Sequence, residues 1–309
     1  VIGCNEIDPK MMEAYKANHN PKFAFLEPIQ TFKLRKDLPR ELYELDILDG
    51  SPPCSSFSMA GNREKDWGKE KKFREGQAEQ ILDNLFFDFI DLAKKLQPKV
   101  VIAENVKGLL LGNAKQYVRQ IYREFDLAGY YCQHFLLDAS KMGVPQRRER
   151  VFFIALRKDL AAPFLKQVDL FCIQPELKME FKEKEIPFMC VHEKNAARHT
   201  NGTLEKYYDL VVIGGSVGDI HENGSFFSYI KVNPSTPTPT ISIGHGKTTQ
   251  MFNPYERGYL SDLEVYLSCT FPLDYKTKYP QYLAGMSVPP VMVAQIATEI
   301  WNQWLSKLN

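Results

Sequence analysis

Short apolar runs alternate with amphipathic stretches over the first half of the chain. The β-branched run at 99–103 is typical of a parallel strand that is buried on both faces. Residues 79–96 instead place apolar side chains on one face, which predicts a helix that ends before Pro98. Similar patterns predict strands near 1–4, 22–25, 45–50, 130–138 and 151–156, and helices at 9–18 and 115–128. This order predicts an α/β fold with a doubly wound, Rossmann-like sheet.

The periodicity weakens after residue 158. Polar and turn residues fill 159–254, where a Pro- and Thr-rich stretch leads into a short strand predicted at 241–243. Helices return at 261–267, with Ser261 and Glu264 in the pattern of a capping box, and at 290–305. We therefore expect a main domain formed by 1–158 and 255–309, and a second, smaller domain of strands and loops at 159–254.

A cysteine follows the buried strand predicted at 45–50. Cys54 stands in a Pro- and Ser-rich loop, where Pro52 and Pro53 restrict the backbone ahead of the sulfur. At the carboxyl end of a strand in an open α/β sheet, such a thiol faces the edge where ligands bind. The alternative is a small buried hydrophobic residue, which is the common role of a single cysteine.

Two carboxylates also follow predicted strands. Glu6 comes after the first strand, where nucleotide-binding α/β folds hold ribose hydroxyls. Glu104 follows the strand at 99–103 and would lie beside the Cys54 loop if the two strands are neighbours. Each could equally cap the helix that follows it.

Arginines precede the strand at 151–156. Arg148 and Arg150 alternate, so both would point to one side of an extended segment and could present two guanidinium forks to an anion or a base edge. The alternative is a solvated strand start. The polar, Gly-punctuated stretch 61–74 is interpreted as a lid over the cysteine, or otherwise as a solvated surface loop.

The net charge of +1 over 309 residues excludes bulk basic character, so a nucleic-acid-binding chain would need its cations gathered on one face. The six cysteines form no CxxC pair, which argues against zinc and favours reduced thiols. We see no signal peptide and no apolar run long enough to span a membrane. These features lead us to expect a cytoplasmic protein without a metal. Separately, we expect a monomer.

Five short motifs in this order resemble those of the DNA cytosine-5 methyltransferase family of bacteria and phages. They are Pro53-Cys54, Glu104-Asn105-Val106, Gln146-x-Arg148-x-Arg150, Arg257-Gly258-Tyr259-Leu260-Ser261-Asp262-Leu263-Glu264 with Phe271-Pro272, and Gly285-Met286-Ser287-Val288-Pro289. The fourth motif, Arg-x-Leu-Thr/Ser-x-x-Glu in the family, carries one extra residue after the arginine here. The resemblance covers nearly the whole chain except about 160–235.

The resemblance implies methyl transfer to C5 of a cytosine in double-stranded DNA, in a restriction–modification system or as a solitary methylase. Cys54 would add to C6 of the base as a thiolate. Glu104 would hold the N3 and amino edge, and Arg150 would bind O2. Arg148 would orient Glu104 and the closed lid. The base would be flipped out of the duplex, with residues 61–78 closing over it.

The resemblance also implies S-adenosyl-L-methionine as the cofactor. Glu6 would bind the ribose, and Ile7 would pack on the adenine. The other cofactor contacts that it implies are Ile29, Ser51, Leu85, Ser287 and Val288. Ser55 and Ser58 in the cysteine loop, and Thr240 in a Pro-x-x-Thr pattern, would contact the nucleic acid.

Several positions depart from the family pattern. The first motif, Phe-x-Gly-x-Gly on a central strand, is absent because the sequence begins after it, so we expect natural residues ahead of Val1. Pro28 stands where an acidic residue usually contacts the adenine, Ser51 replaces a glycine and Met286 replaces an asparagine. These departures predict an unusual cofactor site.

Three alternatives remain at this point. The substrate could be RNA, since one branch of the family modifies tRNA. The chain could be a catalytically weak DNA-binding relative with a degraded cofactor site, or an unrelated α/β enzyme. The recognised DNA sequence cannot be derived, because groove readout has no transferable code. Candidate readers, which could equally form the small domain's own core, are Tyr207, Tyr208, His221, Asn223, Phe226 and Phe227.

Overall fold

A computed structural model describes residues 1–53, 84–111, 115–167, 173–200, 206–242 and 249–308. The chain forms two compact units, which are described separately. Unit 1 comprises Val1–Leu137, Glu149–Met179 and Glu299–Asn309. Unit 2 comprises Asp138–Arg148 and Glu180–Thr298. The predicted assignment of 159–254 to a separate domain stays a prediction.

Unit 1 contains the α/β architecture that the apolar pattern predicts. Its strands are β1 (Gly3–Glu6), β2 (Phe23–Leu26), β3 (Ile47–Gly50), β4 (Val100–Val106), β5 (Tyr130–Asp138), β6 (Glu149–Arg157), β7 (Leu165–Gln167) and β8 (Ile173–Pro175). Its helices are α1 (Pro9–His19), α2 (Ile29–Phe32), α3 (Leu85–Leu96) and α4 (Lys115–Leu127). Asp8 caps α1 by accepting a hydrogen bond from the Lys10 N–H at 2.9 Å, which confirms the predicted helix start.

The main sheet has the order β3-β4-β6-β5. Strand β3 pairs with β4 in parallel, and β6 pairs with β4 antiparallel. Strands β1 and β2 form a separate parallel pair, so among the described residues the sheet is in two pieces rather than one. The carboxyl ends of β3 and β4 therefore meet at one edge, as expected of neighbouring parallel strands.

Burial explains why these elements form where they do. The apolar residues of β4 and β6 are almost wholly buried, and the amphipathic faces of α3 and α4 cover them. This core contains Phe86, Phe89, Ile90, Val101, Ala103, Tyr117, Ile121, Phe125, Val151 and Phe153. Such a core gives the polar residues at the end of β4 a rigid support.

Unit 2 is built mainly from turns and short pieces of regular structure. It contains the parallel strands β9 (Ile230–Lys231) and β10 (Met251–Phe252), followed by the helices α5 (Asp262–Ser268) and α6 (Pro280–Met286). Helix α7 (Pro290–Gln303) begins in unit 2 and ends in unit 1. A small core forms from Tyr208, Val211, Val217, Phe252 and Tyr259.

Two local predictions for unit 2 have different outcomes. The capping box at the start of α5 is confirmed, with Ser261 Oγ accepting from the Glu264 N–H and the Glu264 carboxylate accepting from the Ser261 N–H. The strand at 241–243 is wrong for Ile241 and Ser242, which lie in irregular backbone. The bonds that hold Ile241 there come from Gln146 and Arg148 rather than from a neighbouring strand.

By length and composition alone, one stretch of the described residues, Pro280–Lys307, could cross a membrane. In the structure this stretch holds two helices, α6 and α7, which are separated at 287–289. The α7 residues Met292, Ile296 and Ile300 are almost fully buried. A core helix of an ordinary folded domain meets the same test, so composition here is weak support for a membrane segment.

Candidate active site

The pairing of β3 with β4 brings two predicted site segments together in unit 1. Gly50 lies opposite Ala103, so the Ser51-Pro52-Pro53 loop and Glu104 leave the same sheet edge. The two strands are therefore neighbours, which was the condition for Glu104 to lie beside the loop that leads to Cys54. Cys54, Ser55, Ser58 and the predicted lid at 61–78 lie outside the described residues, and their roles stay predictions.

Asn105 connects these two segments. The sequence places it in the Glu104-Asn105-Val106 motif, but no role was predicted for it. Its Nδ2 donates to the Pro52 carbonyl at 3.1 Å, and its Oδ1 accepts from the Val106 N–H at 2.9 Å. The side chain is buried. Since a buried hydrogen bond fixes the carbonyl two residues before Cys54, Asn105 sets the backbone that leads into the cysteine.

Glu104 and Arg150 form an ion pair at the same edge. Arg150 Nε lies 2.9 Å from Glu104 Oε1, with side chains 16% and 14% exposed. The antiparallel register makes this contact, because Arg150 lies opposite Val106 and Glu104 opposite Phe152, on one face of the sheet. Burial lowers the pKa of Arg150 below its ordinary value, and the adjacent Glu104 partly offsets this effect.

The pair offers complementary hydrogen-bonding groups side by side. A carboxylate supplies acceptors and a guanidinium supplies donors in a fixed plane. Together they can bind the edge of a planar amide-like ring, which presents donors and acceptors next to each other.

Arg148 lies in unit 2, where its guanidinium contacts backbone oxygens. Nη1 donates to the Ile241 carbonyl at 3.2 Å, and Nη2 donates to the Gly285 carbonyl at 3.3 Å. The residue is only 3% exposed. The two arginines thus have different partners, because β6 starts at Glu149 and only Arg150 belongs to it. The expected orientation of Glu104 by Arg148 stays a prediction.

Gln146 and Thr240 join two predicted motifs within unit 2. Gln146 Oε1 accepts from the Ile241 N–H at 3.1 Å, and its Nε2 donates to Cys269 Sγ at 3.0 Å. Thr240 Oγ1 donates to the Arg147 carbonyl at 2.7 Å. The Thr240 hydroxyl therefore donates its single proton to an acceptor within the chain. A hydrogen bond from this hydroxyl to a DNA phosphate would require the same proton.

The residues expected to hold the cofactor ribose and adenine follow β1. Glu6 Oε1 accepts from the backbone N–H groups of Ile7 and Asp8 at 2.8 and 2.9 Å. These bonds hold the carboxylate at the carboxyl end of β1, where nucleotide-binding sheets place it. Glu6 and Ile7 are both partly exposed, so each can contact a ligand. This arrangement fits an adenosine group.

The other expected cofactor residues differ in accessibility. Ile29 starts α2 and packs partly into the core, Ser51 is exposed, and Leu85 at the start of α3 is buried. Ser287 and Val288 are half-buried in unit 2, with Ser287 Oγ donating to the Leu283 carbonyl at 2.8 Å. Pro28 is the N-cap residue of α2, and its side chain has no acceptor for an adenine amino group.

A second ion pair lies in unit 2 around Glu264. Its carboxylate is fully buried and accepts from Arg198, His192, Asn253 and the backbone of Ser261. Its motif was noted in the sequence, but Arg198 was not, because nothing in the local pattern marks that residue. Among the described residues, no group of three or more His, Cys, Asp or Glu side chains could hold a metal ion.

Two type II methyltransferases illustrate the similarity of this chain to known proteins. Type II methyltransferase M.FnuDI of Fusobacterium nucleatum is 37% identical over 160 residues, which cover 52% of this chain and 41% of that protein. Type II methyltransferase M.DdeI of Desulfomicrobium norvegicum is 38% identical, with 85% of this chain and 74% of that protein covered. The chain thus spans less than half of the first relative and about three quarters of the second.

A solved structure shares the fold. The Spodoptera frugiperda DNMT2 mutant structure aligns over 97% of this chain and 92% of its own, with a TM-score of 0.63 and 17% identity. At that identity the likeness shows the fold alone, a Rossmann-like methyltransferase fold. The family model of C-5 cytosine-specific DNA methylases matches residues 1–302. This match, together with the M.DdeI relationship, shows that the chain belongs to the C-5 cytosine-specific DNA methylase family.

Proposed function

We propose that this chain transfers a methyl group to C5 of a cytosine in double-stranded DNA. The observation that carries the proposal is the Glu104–Arg150 pair, at 2.9 Å, beside the loop that leads to Cys54. Family membership supports the reaction class. The relatives act as type II methyltransferases by name, which supports a place in a restriction–modification system or a solitary role.

The Glu104–Arg150 pair would bind the target base by its edge. The Glu104 carboxylate accepts from the exocyclic amino group and, through a shared proton, stabilises N3 as that nitrogen gains basicity. The Arg150 guanidinium donates to O2. Both contacts strengthen when electron density moves from C6 toward the ring heteroatoms, so they favour the transition state over the free base.

Cys54 would act as the nucleophile. Its thiolate adds to C6, and the electron pair of the 5,6 double bond makes C5 nucleophilic. After C5 is methylated, a water molecule removes the C5 proton, the double bond re-forms and the thiolate leaves. Asn105 supports these steps by holding the Pro52 carbonyl and hence the direction of the loop.

S-adenosyl-L-methionine would supply the electrophilic methyl group. Glu6 would hold the ribose and Ile7 would pack on the adenine, since both are partly exposed at the carboxyl end of β1. Ile29, Ser51, Leu85, Ser287 and Val288 are further proposed contacts. The buried side chain of Leu85 would act mainly by packing behind the ligand.

The target base must leave the duplex, because C5 and C6 are stacked within it. Residues 61–78 would close over the flipped base, with Ser55 and Ser58 on the nucleic acid. Thr240 would contact the DNA backbone beside the flipped base, and Arg148 would orient Glu104 and the closed lid. We place sequence recognition in 159–254, and we expect a cytoplasmic, monomeric enzyme that uses no metal.

Methyl transfer to defined substrates tests the proposal. Purified full-length protein is incubated with S-adenosylmethionine carrying a labelled methyl group, and with unmodified genomic duplex DNA or tRNA. Label in DNA is the expected result, whereas label in tRNA alone would replace DNA with RNA as the substrate. No transfer to any duplex DNA would overturn the proposal.

A covalent trap tests the nucleophile separately. With S-adenosylmethionine present, duplex DNA containing 5-fluorocytosine should form a stable adduct with the wild-type protein, since after C5 is methylated the fluorine there cannot leave as a proton does. The Cys54→Ser variant should form none. An adduct that persists in this variant would assign the nucleophile to another residue.

A further inference from the structure

The arginine that contacts Glu264 does not come from the motif around it. Counting back from Leu260 and Glu264 places Gly258, not an arginine, at the first position of the Arg-x-Leu-Ser-x-x-Glu pattern. Arg257, one residue earlier, pairs instead with Asp209 at 2.6 Å, in a contact whose side chains are 47% and 65% exposed.

Arg198, from outside the motif, supplies the guanidinium that pairs with Glu264. Its Nη1 and Nη2 lie 2.6 and 3.0 Å from the two Glu264 oxygens in a bidentate pair. Nε donates to Glu256 Oε2 at 2.9 Å. The remaining N–H groups reach the carbonyls of Tyr259 at 3.2 Å and Glu193 at 2.9 Å. All five guanidinium N–H donors therefore have acceptors.

Gly258 makes room for this arrangement. Its φ of +127° is a conformation that L side chains rarely adopt. A Cβ at this position would lie 2.8 Å from the Cβ of Arg198 and 3.1 Å from the His199 carbonyl oxygen. An arginine at 258 and the observed placement of Arg198 therefore exclude each other.

The Arg198 contacts extend to the segment with the candidate DNA-reading residues. Asn253 Nδ2 donates to Glu264 Oε1 at 2.8 Å, while the Asn253 carbonyl accepts from the Tyr208 hydroxyl at 2.9 Å. Tyr208 in turn packs against Phe252 in the small core of unit 2. A continuous buried network thus connects Arg198 to the start of 206–231.

We propose that Arg198 is a positioning residue for DNA recognition, which holds 206–231 in the arrangement that reads DNA. The inference rests on the proposed function, since DNA is the ligand it invokes. Lysine cannot replace this residue, because its ammonium has three donors and no planar fork. The effect is on DNA binding rather than on chemistry at the base.

The experiment compares Arg198→Lys and Arg198→Met with Arg257→Met as the matched control. Both Arg198 variants should raise the KM for duplex DNA by about ten- to a hundredfold, with kcat at saturating DNA changed by less than about threefold. Hydrogen exchange at 192–199 and 206–217 should quicken in the same variants. At a salt concentration that screens surface cations, Arg257→Met should leave the KM, kcat and hydrogen exchange at 192–199 close to wild type, since its ion pair is exposed.

Several results would overturn the inference. These are an unchanged KM for DNA in a folded Arg198 variant, full rescue by lysine, or a larger effect from Arg257→Met. If Arg198→Met does not fold, Gly258→Ala displaces the arginine without removing it and should give the same KM change. If wild-type protein methylates no DNA, the proposed function fails, while hydrogen exchange still shows whether Arg198 orders the segment.

Discussion

Each of the two units contains a carboxylate–guanidinium pair whose carboxylate belongs to a family motif. The pairs differ in burial and in the number of hydrogen bonds that the carboxylate accepts. Glu264 and Arg198 are 0% and 3% exposed, and six hydrogen bonds reach the two Glu264 oxygens. Glu104 and Arg150 are 14% and 16% exposed. Among the described residues, the structure gives Arg150 as the ion-pair partner of Glu104.

The two pairs differ in how many hydrogen bonds their carboxylates can still accept. An ionised carboxylate has about four lone-pair sites, so Glu264 has none left for a ligand. Glu104 and Arg150 keep both hydrogen-bonding capacity and access to solvent. A substrate needs both in order to bind. A saturated pair stabilises its unit, whereas an unsaturated pair at a sheet edge can bind and release a base.

The largest expected effect comes from breaking the saturated pair. Glu264→Gln should lower the free energy of unfolding by about 3–5 kcal/mol, because it removes the bidentate partner of the buried Arg198 and leaves only the partly exposed Glu256 carboxylate as its counter-charge. Chemical denaturation measures this change, with Glu149→Gln as an exposed control. A loss no greater than that of the control would show that the buried pair adds little to stability.

Glu104→Gln should act on catalysis instead. We expect kcat for DNA methylation to fall by about 10²–10³, because the amide cannot stabilise a protonated N3 as the carboxylate does. The unfolding free energy should change by less than about 2 kcal/mol. Steady-state methyl transfer and denaturation are measured on the same preparation. A variant with wild-type kcat would remove Glu104 from the mechanism.

The two pairs also differ in how much of their contacts the sequence predicts. The apolar runs predicted β4 and β6, and parallel neighbours brought Glu104 to the Cys54 loop as expected. Arg148 and Arg150 looked equivalent by alternation, but only Arg150 lies in β6, so their partners differ. Arg198 lies 66 residues before Glu264, a separation at which no local periodicity specifies contact.

The stability contributed by the Glu264–Arg198 pair should also depend on pH. Burial alone would raise the pKa of Glu264, but hydrogen bonds from Arg198 and the Ser261 backbone lower it below the ordinary 4.5. A depressed folded pKa stabilises the protein at neutral pH, and this contribution is lost as pH falls below about 4.5 through the folded value. Thermal unfolding between pH 6 and 3 should therefore be less pH-dependent in Glu264→Gln. Parallel pH curves for the two proteins would contradict the lowered pKa.

Asn105→Ala should have an intermediate effect on both stability and catalysis. Loss of the bond to the Pro52 carbonyl leaves a buried acceptor unsatisfied and should cost about 1–3 kcal/mol of stability. It should also lower kcat by about tenfold, because the loop before Cys54 loses its anchor. Asn105→Asp keeps the acceptor to Val106 but not the donor, so it should share the kcat loss. A normal rate of 5-fluorocytosine trapping in both variants would show that Cys54 is positioned without this bond.

The smallest expected effect tests whether proximity to the candidate site is enough to make a residue functional. Lys107 follows Val106 and pairs with Glu149 at 2.8 Å, but the two side chains are 41% and 44% exposed. Lys107→Met should change stability by less than about 1 kcal/mol, since solvent screens exposed pairs. At saturating DNA its kcat should match wild type, although loss of one surface cation can raise the KM for DNA at low salt. If kcat instead fell as far as in Glu104→Gln, position beside the sheet edge, rather than unsaturated hydrogen-bonding capacity, would mark the functional residues of this unit.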